Sequence, residues 1–390
     1  MEAGLTSQGT ARIAAIDMLR GLVIVLMVLD HVRDFFHIEA GRFDPTDPLK
    51  TTGLLFATRF VTHLCAISFV FLAGVSILMQ KEDGKGGRRL SAFLLKRGLW
   101  LIVLEATIVS FGFNFAEPFL FLQVIWAIGA SMLCMSLLAR LPTGAVLAVG
   151  CALVAALPFL IAGTEDAKGA VGIARNLAAV PTVLADVPAL IAYPVLPWLA
   201  VMCIGFGLGP IFRRPTAEQR RLILPIALAL IAGFFLLRAL NGYGDPRPWQ
   251  MLPGAGQTMM SFLNVSKYPP SPDFVLVTLG VSLLAFLGLQ AVKGRAASVL
   301  LIFGRTPLFS YLAHLYIAHS LMLLAALATG FPAEVTTDFI LGGKPARMGW
   351  GFPLPAVYAF WLAVLVLMYP LSKRFAAVKR RSRAWWTSYF

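Results

Sequence analysis

The chain is a succession of apolar runs, most close to twenty residues long, separated by short polar stretches. About 20 apolar residues, at 1.5 Å of rise each, cross the hydrocarbon core of a bilayer as a helix. The pattern therefore predicts an all-α, polytopic transmembrane helix bundle of about ten spans. They fall at about 13–37, 53–79, 92–114, 118–139, 143–162, 187–211, 219–240, 273–292, 305–329 and 352–372. Pro194, Pro197 and Pro210 interrupt the sixth span and predict a kink or a break there. The segment Ala296–Phe303 reads as a short amphipathic piece ahead of the ninth span.

The first run, Arg12 to His37, differs from the others. It opens with Arg12, Asp17 and Arg20, runs through apolar residues from Leu22 to Leu29, and closes on Asp30, His31, Arg33, Asp34 and His37. Asp17, Ile24 and His31 recur at intervals of seven and share one helix face with Gly21. Lipid does not solvate such a face, so this helix is expected inside the bundle with an ionisable group at each end of one seam.

Composition agrees with a membrane protein: 58% of residues are hydrophobic and 13% charged. A net charge of +14 would suit nucleic acid, but the distribution of the bases argues against that partner. They cluster in alternate loops, at 81–97, 213–221 and 293–305, and in the tail at 373–390. Positive charge gathers on the cytoplasmic side of membrane proteins, so both termini are expected in the cytoplasm. The reading is one domain over 1–390, multi-pass in a bacterial inner (cytoplasmic) membrane. The basic, aromatic tail would lie on membrane lipids, and homo-oligomerisation is left open. Cys65, Cys134, Cys151 and Cys203 all lie in apolar runs and read as small buried residues. No cleavage site of small residues follows the first run, so it does not read as a removable signal.

Polar residues gather at the far end of the spans from these bases. Arg59 and His63 open the second span one turn apart, and Asn241, Asp245, Asn264 and Lys267 lie in the segment between spans seven and eight. A solvated rim accounts for many of them. Asp30, His31 and His63 lie deeper and are the candidates for chemistry, because histidine transfers protons near neutral pH and a carboxylate can orient it. Asp30, Asp34 and His63 are each possible partners of His31, and the sequence does not choose among them. Glu105, in the middle of the third span, reads as a hydrogen-bonded packing residue or as part of a proton relay. Tyr311 and His314 can share a face of the ninth span, whereas His319 is rotated away. No metal-ligand spacing, phosphate-binding glycine loop or nucleophile elbow is present in the sequence.

The opening RIAAIDMLRGLVIVLMVLDH resembles the signature of integral-membrane sugar acyltransferases, an Arg, an Asp and an Arg-Gly followed by an apolar run and a histidine. With FATRFVTHLCAISFVFLAGVSI, NGYGDPRPW, SFLNVSKYPPSPDF and FGRTPLFSYLAHLYIAH, it resembles the bacterial membrane family related to the catalytic domain of heparan-α-glucosaminide N-acetyltransferase, over roughly residues 10–320. The resemblance implies transfer of an acyl group, acetyl foremost, from cytoplasmic acetyl-CoA or another acyl-CoA to an extracytoplasmic sugar or glycan; the missing ligand spacings imply no metal. It implies His31 as the catalytic histidine, Asp30 as its orienting partner and His37 as the next candidate for that role. Asp17 and Arg20 would organise the donor mouth, while Arg33, Arg59, Asn264 or Lys267 would hold an oxyanion or an acidic acceptor. His63 stands where the glucosaminide enzyme carries an acidic residue, and that enzyme's luminal domain has no counterpart, which leaves the acceptor open. Two other readings remain: a transporter or exporter of a small anionic metabolite, and a non-enzymatic assembly or sensor subunit. The sequence shows no internal repeat and gathers its polar groups at the membrane ends, both against transport; Glu105 favours it.

Overall fold

The computed structural model describes residues 13–115, 119–162, 169–184, 188–337 and 343–382. Arg12 and the tail beyond residue 382, Arg383 included, lie outside the described residues. Helix α1 (Ala14–Phe36) is followed by α2 (Gly53–Thr62) and α3 (Leu64–Gln80). Helices α4 (Arg88–Leu104) and α5 (Ser110–Asn114) are joined by the π-helical turn Glu105–Val109, and β1 (Leu120–Leu122) leads into α6 (Val124–Leu138). Next come α7 (Thr143–Ile161), α8 (Gly169–Ala178), β2 (Thr182–Leu184), β3 (Ala189–Ile191), α9 (Val195–Leu208) and α10 (Thr216–Leu240). The chain continues through α11 (Ala255–Leu263), α12 (Pro272–Leu289), α13 (Gly294–Arg305), α14 (Pro307–Ala328), α15 (Lys344–Met348) and α16 (Leu354–Arg381).

Among the described residues, seven stretches are long and apolar enough to cross a membrane: Gly53–Gly84, Thr143–Ile161, Val195–Arg213, Thr216–Leu240, Pro272–Leu289, Pro307–Ala328 and Leu354–Arg381. The protein is a multi-pass membrane protein. Helices α1 and α4 carry several charged side chains, and α6 is shorter, so hydropathy alone does not select them. Helix α1 nevertheless holds the centre of the bundle. It packs against α2, α3, α12, α13, α14 and α16, and it is buried along most of its length. The seam of Asp17, Gly21 and Ile24 faces inward as its spacing requires.

Glycines set the closest helix approaches. A Cβ on Gly304 of α13 would stand 1.7 Å from the Asp17 carbonyl oxygen, and one on Gly21 would stand 1.9 Å from that of Leu300. The pair Gly74 and Gly205 brings α3 and α9 together in the same way, at 2.0 Å from Met202 O and 2.1 Å from Phe71 O. Both obstacles are backbone, so neither can rotate aside. Gly304→Ala is expected to lower stability by roughly 1–3 kcal/mol, an overpacking cost, read as a fall in the unfolding midpoint in detergent. An unchanged midpoint would mean that α1 and α13 separate freely.

The break expected in the sixth span falls at Pro194, between β3 and α9, whereas Pro197 causes none. Pro194 precedes α9 and Pro197 lies in its first turn, where no backbone N–H is needed for the ladder, while Pro210 lies in the 3₁₀ turn that ends it. Helix α9 runs unbroken between them, and β3 occupies the start of the expected span. In the three-stranded sheet, ordered β1-β3-β2, β3 pairs in parallel with β1 and antiparallel with β2. Apolar strands of three residues inside apolar runs carry no periodicity that separates them from helix. The four cysteines also divide: Cys65 and Cys203 are buried, but Cys151 lies on an exposed face of α7.

Candidate functional site

His31 lies in the last third of α1, two turns into the bundle, and its partner comes from α14. His31 Nδ1 and His314 Nε2 are 2.6 Å apart. The second nitrogen of His314, Nδ1, lies 3.2 Å from the Ser310 carbonyl oxygen. A carbonyl only accepts, so His314 Nδ1 carries a proton. With both rings neutral, His314 Nε2 is then an acceptor, His31 Nδ1 donates to it, and the lone pair of His31 falls on Nε2. The Tyr311 ring stands edge-on to both imidazoles, at 6.3 Å from His31 and 5.5 Å from His314. Phe113 closes the other side of His31 at 5.2 Å. The shared face of Tyr311 and His314 is thus turned toward His31.

The expected partnership of Asp30 with His31 is replaced by another. Successive helical residues point about 100° apart, and Asp30 turns toward α2. Its carboxylate accepts from Arg59 Nη1 at 2.8 Å and from Thr62 Oγ1 at 2.8 Å. Arg33 Nη1 stands 3.1 Å and Lys267 Nζ 3.9 Å from it. Arg33 also holds Asp34. Three cations surround this buried carboxylate, so Arg33, Arg59 and Lys267 form one charge cluster with Asp30 rather than a solvated rim. Lys267 lies 5.9 Å from the centre of the Tyr193 ring and 5.1 Å from that of Tyr268, a cation–π setting. His63 is the joint between α2 and α3, buried between Phe60 and Phe274, and its Nδ1 has no hydrogen-bond partner among the described residues. His37 caps the C-terminus of α1 and accepts from the Glu39 N–H at 3.3 Å.

The loop candidates divide by role. Asn241 is paired with Trp249 through both ends of its amide. Asp245 accepts from the Ser266 N–H at 2.7 Å and the Ser271 hydroxyl at 2.6 Å. Beneath them Arg238, 2% exposed, donates to the carbonyl oxygens of Phe262, Arg247, Ser261 and Asn264. Asn241, Asp245 and the Asn264 backbone therefore build the loop that delivers Lys267 and Tyr268 to the site. Glu105 is equally structural. Its carboxylate accepts from the backbone N–H groups of Gln123 and Trp126, at 2.9 and 3.0 Å, and caps the N-terminus of α6. His319 bonds the carbonyl oxygens of Gly112 and Thr336, away from His31.

Two cavities approach the His31–His314–Tyr311 cluster. One, of about 230 Å³, is lined by His31, Asp30, Asp34, Gln123, Tyr193 and Tyr268. The sheet helps shape it, since Gln123 follows β1 and Tyr193 lies two residues beyond β3. The other, of about 250 Å³, is lined by Arg20, Arg97, Arg305, Lys379 and Ser76, with apolar walls that reach Tyr311. Arg20 donates to Ser76 Oγ at 2.5 Å and to Asp17 Oδ1 at 3.2 Å, and Arg305 stands 3.9 Å from Asp17 Oδ2. Asp17 thus organises the basic mouth. Arg20 and His31 are eleven residues apart on α1, about 16 Å at helical rise. Arg97, Arg305, Lys379, Gln123, Tyr193, Tyr268 and Arg238 carry no sequence pattern that marks them as site residues; only the bundle brings them together.

The sequence model for the family described as heparan-alpha-glucosaminide N-acetyltransferase, catalytic, matches residues 12–233, more than half of the chain. The chain belongs to this family. The matched stretch begins at the arginine that opens the first apolar run and contains His31, Asp30, Arg59, His63 and Gln123. Membership in the glucosaminide acetyltransferase family makes this a relative of membrane acetyltransferases. Tyr311 and His314 lie beyond the matched residues, and the structure ties them to His31. No curated protein matches the chain.

Proposed function

We propose that this protein is a membrane acyltransferase that moves an acyl group, acetyl in the first instance, from acyl-CoA to a sugar or glycan. The observation that carries this reading is that one cavity is lined by His31 and the other by Tyr311, whose ring stands edge-on to His31. The basic cavity suits the phosphates of coenzyme A, which Arg20, Arg97, Arg305 and Lys379 would hold, while its apolar wall suits the pantetheine arm. The cavity of Tyr193, Tyr268, Gln123 and Asp34 suits a polyhydroxylated acceptor, with ring faces for its apolar side and polar groups for its hydroxyls. His31 Nε2 would take the proton from the attacking amine or hydroxyl, or itself carry the acyl group in a two-step transfer. In this reading α1, α4 and α6 also cross, giving ten spans in a cytoplasmic membrane with both termini and the basic mouth inside.

Glu105, the mid-span carboxylate that favoured transport, is engaged in capping α6, and this weakens the transporter reading. Acetyl-CoA binding to the purified protein tests the proposal. Ligand at a hundredfold excess over Kd stabilises by about 2.7 kcal/mol and should raise the unfolding midpoint. Arg305→Ala should weaken acetyl-CoA about tenfold or more, the loss of one charged hydrogen bond, and leave binding of the phosphate-free acetyl thioester of N-acetylcysteamine unchanged. A folded protein that responds to no acyl-CoA would return the advantage to transport of an anion.

A further inference from the structure

We propose that Tyr311 is a catalytic residue, whose hydroxyl donates to the thioester carbonyl oxygen during acyl transfer. The inference rests on the acyltransferase reading above. Tyr311 is 3% exposed, and its hydroxyl has no hydrogen-bond partner among the described residues. A buried donor left in this state costs about 1–3 kcal/mol, which a bound acceptor recovers. The residue lines the basic cavity, and its ring stands against both His31 and His314. Arg305 ends α13 at the mouth, and Tyr311 lies four residues along α14 from Pro307, which also lines the cavity, about 6 Å at helical rise. A thioester that enters past Arg305 meets Tyr311 before it reaches His31.

The chemistry balances with these groups alone. The acceptor's amine or hydroxyl attacks the carbonyl carbon while His31 Nε2 takes its proton. The carbonyl π electrons move to oxygen, where the Tyr311 O–H donates to the growing charge. Collapse of the tetrahedral centre breaks the carbon–sulfur bond, and the departing thiolate receives the proton held by His31. The products are the acylated acceptor and coenzyme A as its thiol. If His31 attacks first, the same oxygen carries the charge and Tyr311 acts on it in the same way.

Tyr311→Phe removes only the donor. Its kcat should fall roughly 10²- to 10³-fold, the usual consequence of deleting one oxyanion donor. KM for acetyl-CoA should stay within about threefold, and the unfolding midpoint of the ligand-free variant should not fall below that of wild type. In wild-type protein, the carbonyl stretch of bound ¹³C-acetyl-CoA should lie below its value in water, and a stretch above that value overturns the assignment even if the variant does not fold. Wild-type protein that transfers acyl groups, together with Tyr311→Phe at full kcat, overturns the assignment alone. Wild-type protein that transfers none, to amine or hydroxyl acceptors, overturns the function and the assignment together.

Discussion

His31→Ala is expected to lower the rate of acyl transfer by about 10²- to 10⁴-fold, with folding intact. Each factor of ten is about 1.36 kcal/mol of barrier, so the loss amounts to roughly 3–5 kcal/mol. The expectation follows from the position of His31, which lines one cavity and packs against Tyr311 of the other, and from its protonation. His314 fixes the proton on His31 Nδ1 and leaves Nε2 free to act. His314→Ala should therefore cost less than loss of His31 itself, because an unoriented imidazole still titrates. Asp30→Asn should behave differently from both, since its carboxylate serves Arg59, Arg33 and Lys267. It should destabilise the packing of α1 against α2 before it alters the proton transfer. Initial rates with labelled acetyl-CoA measure all three, and a His31→Ala enzyme as fast as wild type would remove the histidine from the mechanism.

Arg238→Met should lower stability by about 3–5 kcal/mol, the cost of removing one partner from a buried charge cluster. Four backbone carbonyls lose their donor, and Asp245 and Asp273, each 4.0 Å from the guanidinium, lose their countercharge. Lysine is a poor substitute because its single ammonium cannot reproduce the planar fork. Arg238→Lys should recover part of the loss and no more. The effect should extend to the site, because Arg238 pins the Asn264 carbonyl three residues before Lys267. Thermal unfolding in detergent gives the first value, and acceptor KM gives the second. A variant within about 0.5 kcal/mol of wild type would show that the loop holds itself.

The helices were legible because burial in lipid leaves a long apolar run that few other structures produce. The centrality of α1 was legible as well, from charges that lipid would not accept. Several site features were not. The sheet was hidden because its strands are three residues long and apolar. Asp30, Asp34 and His63 are all open to His31 from sequence, and the resemblance singles out Asp30, but none of the three is the partner, which comes from α14. Glu105 reads from sequence as a hydrogen-bonded packing residue or a relay; the first holds, but its partners at the N-terminus of α6 are 18 and 21 residues away and carry no local sign. The pairing of His31 with His314 joins residues 283 positions apart. No local pattern carries that contact, although the expectation that Tyr311 and His314 share a face supplied half of it.

The most direct test of the central claim uses liposomes containing the purified protein, with labelled acetyl-CoA added outside and an amino sugar sealed inside. The two-cavity arrangement predicts that labelled, N-acetylated sugar accumulates within the liposomes although neither substrate crosses the bilayer. Product formed only when donor and acceptor share one side would contradict it.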